Sequence, residues 1–103
     1  MSKLVKVAEK KSVAPGTAKV VEAEGRSFAL FNVSGTFYAL DNNCTHVGGP
    51  LGEGDLAGEV VTCPWHGAQF NVKTGEVLAP PAQTGVRSFP VKVQGNDVLV
   101  ELD

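Results

Sequence analysis

Two short stretches decide how this chain is read: Cys44-Thr45-His46-Val47-Gly48-Gly49-Pro50-Leu51 and, separated from His46 by sixteen intervening residues, Cys63-Pro64-Trp65-His66-Gly67. Together they hold every cysteine and histidine of the protein. Each is flanked by Gly and Pro, so both read as loops. Two thiols and two imidazoles gathered into two loops point to shared metal ligation rather than to four unrelated buried side chains. A nucleophilic Cys–His pair would leave the second pair without a task. Tetrahedral zinc suits two thiolates and two imidazoles and stays a rival, although zinc patterns usually set both cysteines in one knuckle. Here each loop brings one Cys and one His. Such mixed loops suit a two-iron cluster in which one iron takes both thiolates and the other both imidazoles. The glycines of 48–54 do not make a phosphate-cradling loop, because the Gly-Lys-Ser/Thr ending is missing and Glu53 and Asp55 stand close by.

Outward from these loops, residues 41–85 hold eight of the twelve glycines and four of the six prolines, along with the single tryptophan. The flanks differ. Turn signals at Glu24-Gly25, Ser34-Gly35, Ala57-Gly58, Thr74-Gly75 and Gly95-Asn96 separate short runs rich in Val, Phe, Tyr and Thr, which predicts hairpins. Strands are expected over Ala18–Ala23, Phe28–Val33, Thr36–Leu40, Glu59–Cys63, Ala68–Val72, Val86–Val93 and Asp97–Leu102. An edge strand is expected at Leu4–Val7. A regular all-β scaffold thus carries a loop-rich insert, and the insert carries the chemistry.

One domain of 103 residues is all the length allows. Twelve Gly and six Pro are too many for a helix bundle and too few for a disordered chain. The net charge of −2 offers no basic footprint for nucleic acid or an anionic membrane. Charges recur every few residues through Lys3, Lys6, Glu9, Lys10 and Lys11, leaving no apolar run for a signal peptide or membrane span, so a cytoplasmic protein is expected. In that reducing compartment two cysteines favour a metal over a disulfide. Residues 27–72 hold Asp41, Glu53, Asp55 and Glu59 with no Lys or Arg, which predicts an acidic face around the two loops.

The C-x-H and C-x-x-H loops at this spacing resemble the Rieske [2Fe–2S] proteins. Gly54 to Cys63, Phe70-Asn71-Val72 with Thr74-Gly75, Pro80-Pro81 and the hairpin from Phe89-Pro90-Val91 to Val100 extend the likeness to the small Rieske-type ferredoxins of bacterial aromatic-ring-hydroxylating dioxygenase systems. The resemblance implies an antiparallel β-sandwich of residues 1–103 with a small loop-rich cluster-binding subdomain at about 41–85. It implies one [2Fe–2S] cluster, its inner iron held by Cys44 and Cys63 and its outer iron by His46 and His66. It also implies an electron carrier of aromatic hydrocarbon catabolism, not an enzyme, passing one electron from a flavin-dependent ferredoxin reductase to a terminal oxygenase. A monomer with no nucleic-acid or membrane partner is expected. Small subunits of nitrite reductase resemble the same fold, many without the ligands, and form the alternative beside a structural zinc module.

High-potential relatives of this family carry a disulfide between the loops, at positions that are Gly49 and Trp65 here. They also carry serine and tyrosine hydroxyls where this chain has Ala68 and Phe70. Hydroxyl donors draw charge from sulfur, so their absence implies the low end of the Rieske range. Gly48, Gly49 and Gly67 are candidates to bring backbone N–H groups close to the sulfurs. Trp65 is expected to shield the cluster, and Val47, Pro50, Leu51, Pro80 and Pro81 to rim it as an apolar tip.

Anaerobically purified protein should contain about two irons and two acid-labile sulfides per chain. Stoichiometric zinc in a colourless protein that forms no cluster on reconstitution would contradict this.

Overall fold

A computed structural model describes residues 3–42, 51–64, 67–79 and 85–102. Eleven strands are formed among these residues: β1 Lys3–Glu9, β2 Thr17–Ala23, β3 Arg26–Val33, β4 Thr36–Asp41, β5 Asp55–Ala57, β6 Val60–Thr62, β7 Gln69–Asn71, β8 Val77–Ala79, β9 Ser88–Phe89, β10 Val91–Gln94 and β11 Asp97–Leu102. They make three antiparallel sheets, ordered β1-β11-β10, β2-β3-β4-β9 and β5-β6-β7-β8. The only helical segments among the described residues are 3₁₀ turns at Lys10–Ser12 and Leu51–Glu53.

Strands β3 and β4 organise the rest. Their hairpin turns on Ser34-Gly35, both residues at positive φ (52° and 95°), the geometry that matches the right-handed twist of paired strands. Side chains alternate between the two faces. Phe28 and Leu30 of β3, with Phe37 and Ala39 of β4, point into a core completed by Val98, Val100 and Leu102 of β11 and by Phe89. Ala29, Phe31 and Leu40 point the other way, into a second core with Val61, Cys63, Ala68, Phe70, Val72, Leu51 and Val86. The middle sheet is therefore a wall shared by two cores, which is why Phe28-Ala29-Leu30-Phe31 reads as an unbroken apolar run. On the first side, the Phe28 and Phe89 rings meet edge to face with centroids 5.0 Å apart, and the guanidiniums of Arg26 and Arg87 lie 5.0 and 4.7 Å from the Phe89 centroid.

The all-β expectation holds, and each expected strand is found within a few residues of its bounds, with one division. Val86–Val93 is split at Pro90: β9 pairs with β4 and β10 pairs with β11, so the chain changes sheets at the residue that has no N–H to give a ladder. Strands β5 and β8 went unforeseen because three residues are too few for an alternation signal. Their pairing with β6 and β7 makes them strands. The glycine-rich insert is thus built on a four-stranded sheet of its own.

Gly75 is buried at φ +80°, its Cα turned against the Val86 carbonyl so closely that a β-carbon has no room. Gly25, at φ +74°, faces open space. Gly75→Ala should cost about 3 kcal/mol or more in urea unfolding, and Gly25→Ala about 1 kcal/mol, the left-handed backbone penalty alone. Equal losses would show that the close approach at Gly75 is unimportant.

Candidate metal centre

Cys63 follows β6 and continues its alternation, so its side chain falls on the buried face with Val61 while Thr62 is half-buried. It is 1% exposed. Its N–H donates to the Ala68 carbonyl at 2.7 Å, closing the neck of the loop 64–67 between β6 and β7. Beside this neck lies a second one. Strand β4 runs into Asn42, which is buried, and the chain re-enters the described residues at Leu51. The Asn42 carbonyl accepts the Leu51 N–H at 2.8 Å, and its side-chain Oδ1 accepts the Gly52 N–H at 2.9 Å.

Close backbone packing joins the two necks. Gly54 lies against the Thr62 carbonyl, where a β-carbon would collide, and Asp55 pairs with Thr62, the residue before Cys63. Gly52 lies against Val20 of β2, a β-carbon there falling 2.6 Å from the valine Cγ2. Leu51, Cys63 and Ala68 belong to one buried cluster. A third neck stands at Gly75 and Val86, whose N–H donates to the Gly75 carbonyl at 2.8 Å and so fixes the chain after residues 80–84.

Of the four candidate ligands, Cys63 lies in the described part of the structure. Cys44, His46 and His66 lie outside the described residues, as do Val47, Gly48, Gly49, Pro50, Trp65, Pro80 and Pro81. Gly67 is exposed at φ +77° with open space where a β-carbon would be, so its backbone conformation accounts for the glycine. Leu51 was expected at an exposed tip. It is instead fully buried in the core that holds Cys63, because the Asn42 clasp turns it inward at the start of the 3₁₀ turn. Ala68 and Phe70 are both fully buried in the cluster that holds Cys63, and neither carries a hydroxyl.

The expected acidic face also changes. Glu53 and Asp55 are exposed and make no salt bridge among the described residues. Glu59 is ion-paired with Lys73, whose ammonium also sits 5.8 Å from the Tyr38 ring centroid. The hydrogen bond and charge of Glu59, with a smaller contribution from Tyr38, hold the Lys73 amine above its ordinary range. While the carboxylate is ionised, the stabilisation the lysine contributes is fully present below the ordinary lysine pKa and is lost as pH rises through the raised one. Sequence reading missed Asn42. The available signal was Asp41-Asn42-Asn43 just ahead of Cys44, side chains prone to bond nearby backbone.

The donor chemistry fits an iron–sulfur cluster. The one described candidate ligand, Cys63, is packed with the apolar side chains of Val61, Ala68 and Phe70. Two ferric ions, two sulfides and two thiolates sum to about zero, a charge such surroundings tolerate. The Rieske [2Fe-2S] domain model matches residues 3–90. The biphenyl dioxygenase ferredoxin subunit of Pseudomonas sp. (strain KKS102) is 41% identical over 90 residues, covering 86% of this chain and 83% of that protein. The ferredoxin component of biphenyl 2,3-dioxygenase from Rhodococcus jostii (strain RHA1) is 39% identical over 100 residues, 97% and 94% of the two chains. A solved complex of reduced oxygenase and oxidized ferredoxin in carbazole 1,9a-dioxygenase contains a chain that superposes with a TM-score of 0.88 at 37% identity, covering 94% of this chain and 91% of that one.

Fold and donor set together define an iron–sulfur protein built for electron transfer. The chain belongs to the Rieske [2Fe–2S] family, and its cofactor is a Rieske [2Fe–2S] cluster.

With no hydroxyl at positions 68 and 70, the reduction potential should lie near about −150 mV. Ala68→Ser, on the residue that closes the Cys63 neck, should shift it upward. Voltammetry at neutral pH checks both. A wild-type value above about +100 mV, or no rise in the variant, would contradict the argument.

Proposed function

We propose that this chain is a one-electron carrier of a ring-hydroxylating dioxygenase system, with Cys44 and Cys63 on the inner iron and His46 and His66 on the outer one. The observation that carries this reading is the near end-to-end correspondence with free-standing ferredoxin components, 97% of this chain against 94% of the Rhodococcus protein. When bound, the cluster supplies reversible one-electron transfer. The protein's part is to hold it on tightly packed necks. A flavin-dependent reductase is the proposed donor and a terminal oxygenase the acceptor. The carbazole complex, in which a similar chain is found with an oxygenase, supports the acceptor. Both histidines of the 103-residue sequence are assigned to the cluster, which leaves neither of them for a mononuclear iron.

We read the chain as one monomeric domain over 1–103, with the cluster-binding part at about 41–85. The β5–β8 sheet within that span supports the division. A cytoplasmic location is part of the same proposal. Among the described residues no helix is long and apolar enough to cross a membrane.

Glu53 and Asp55 flank the exit of the first loop and are the acidic residues available for docking. Attraction to a basic partner speeds encounter and weakens as salt screens it. Electron delivery from a cognate reductase should therefore slow as ionic strength rises, and slow further in Glu53→Lys and Asp55→Lys. Rates that ignore both salt and charge reversal would remove the acidic residues from docking. An intact, cluster-bearing chain that supports no oxygenase would overturn the carrier reading.

A further inference from the structure

The structure assigns to Asn42 the role of positioning residue for the cluster: it is the clasp that sets where the first ligand loop leaves the scaffold and returns to it. This rests on the proposal that Cys44 and His46 are ligands, and it adds what holds them in place.

Three bonds meet on this one buried residue. Its N–H donates to the Ser27 carbonyl at 3.3 Å, tying it to β3. Its carbonyl accepts from Leu51 at 2.8 Å, and its Oδ1 accepts from Gly52 at 2.9 Å. The two ends of the segment 43–50 are thereby joined through one residue, two positions before Cys44. The return end has no freedom to drift. Leu51 is fully buried, and Gly52 is packed against Val20 so closely that a β-carbon would overlap it. Gly54 is likewise packed against Thr62, which precedes Cys63. A displacement at Asn42 is thus not absorbed at the far end of the neck, and the loop must take it up. A buried amide that loses its partner leaves an unsatisfied group, so the clasp is worth more than its bond in water.

Asn32 provides a matched comparison within the same sheet. It is also buried, and its side chain makes two bonds: Nδ2 donates to the Val13 carbonyl at 2.8 Å, and Oδ1 accepts from Gly35 at 2.7 Å. It lies on β3 five residues from Ser27, the residue to which Asn42 bonds, so it is about 17 Å along the strand from the clasp.

The experiment compares the cluster-loaded wild type with Asn42→Ala, Asn42→Gln, Asn42→Asp and Asn32→Ala. It reads the electron paramagnetic resonance g values of the reduced cluster, the rate of iron loss to a chelator, and the urea midpoint. Asn42→Ala should shift the g values and speed iron loss about fivefold to tenfold, the loss of one buried hydrogen bond. Asn42→Gln retains the amide one methylene too far out and should shift the g values too, which keeps the inference testable if the alanine variant does not fold. Asn42→Asp retains an acceptor at the Oδ1 position and should restore the wild-type g values. Asn32→Ala should lower the urea midpoint and leave the g values alone. A wild-type cluster left unaltered by Asn42→Ala and Asn42→Gln overturns this inference alone, as does a spectral change in Asn32→Ala equal to that in Asn42→Ala. A wild-type chain that takes up no iron overturns the electron-carrier reading as well.

Discussion

The burial of the β3–β4 hairpin on both faces is the constraint from which the rest follows. A chain of 103 residues cannot build two independent cores, because too much of its surface stays exposed at that size. Dividing one hairpin between two cores solves this. Phe28 and Leu30 close the sandwich, and Ala29, Phe31 and Leu40 form the floor under the cluster-binding sheet. Each Phe and Leu among them contributes roughly 1.5–3 kcal/mol on burial, so truncating either face would weaken scaffold and site together.

On that floor the β5–β8 sheet consists of three-residue strands, too short to be stable by themselves. Glycine contacts hold it at the joints. Gly52 against Val20, Gly54 against Thr62 and Gly75 against Val86 are places where backbone meets its neighbour without an intervening side chain. Each contact stands at the neck of a loop. Rigidity at the necks suits an electron carrier, because a site that barely moves on changing charge state loses little energy to rearrangement.

Electrostatics follows the same division. Cys63 packs with apolar Val61, Ala68 and Phe70, while Glu53, Asp55 and Glu59 sit on exposed side chains. Some are spent within the fold. Glu59 is engaged by Lys73, which links the turns of the small sheet to Tyr38 on the wall. Glu53 and Asp55 remain as the exposed acidic pair beside the first loop.

The ligand types, the all-β class and most strands were legible in the sequence because each rests on local signals: Cys and His spacing, hairpin turns such as Ser34-Gly35, and alternation as in Val98, Val100 and Leu102. The same local reading placed Leu51 at an apolar tip, counted Glu59 as a free charge of the acidic face and overlooked β5 and β8. Those features depend on partners distant in the chain. Leu51 is turned inward by Asn42, Glu59 is neutralised by Lys73, and Asp55–Ala57 is a strand only because Val60–Thr62 lies beside it. Asn42 itself reads as an ordinary loop asparagine until the fold brings the Gly52 N–H within 2.9 Å of its side chain. The sequence determined which atoms can bind iron, since that is a matter of residue chemistry. Only the tertiary structure decided what holds them in register, because that depends on backbone groups whose identity no side chain records.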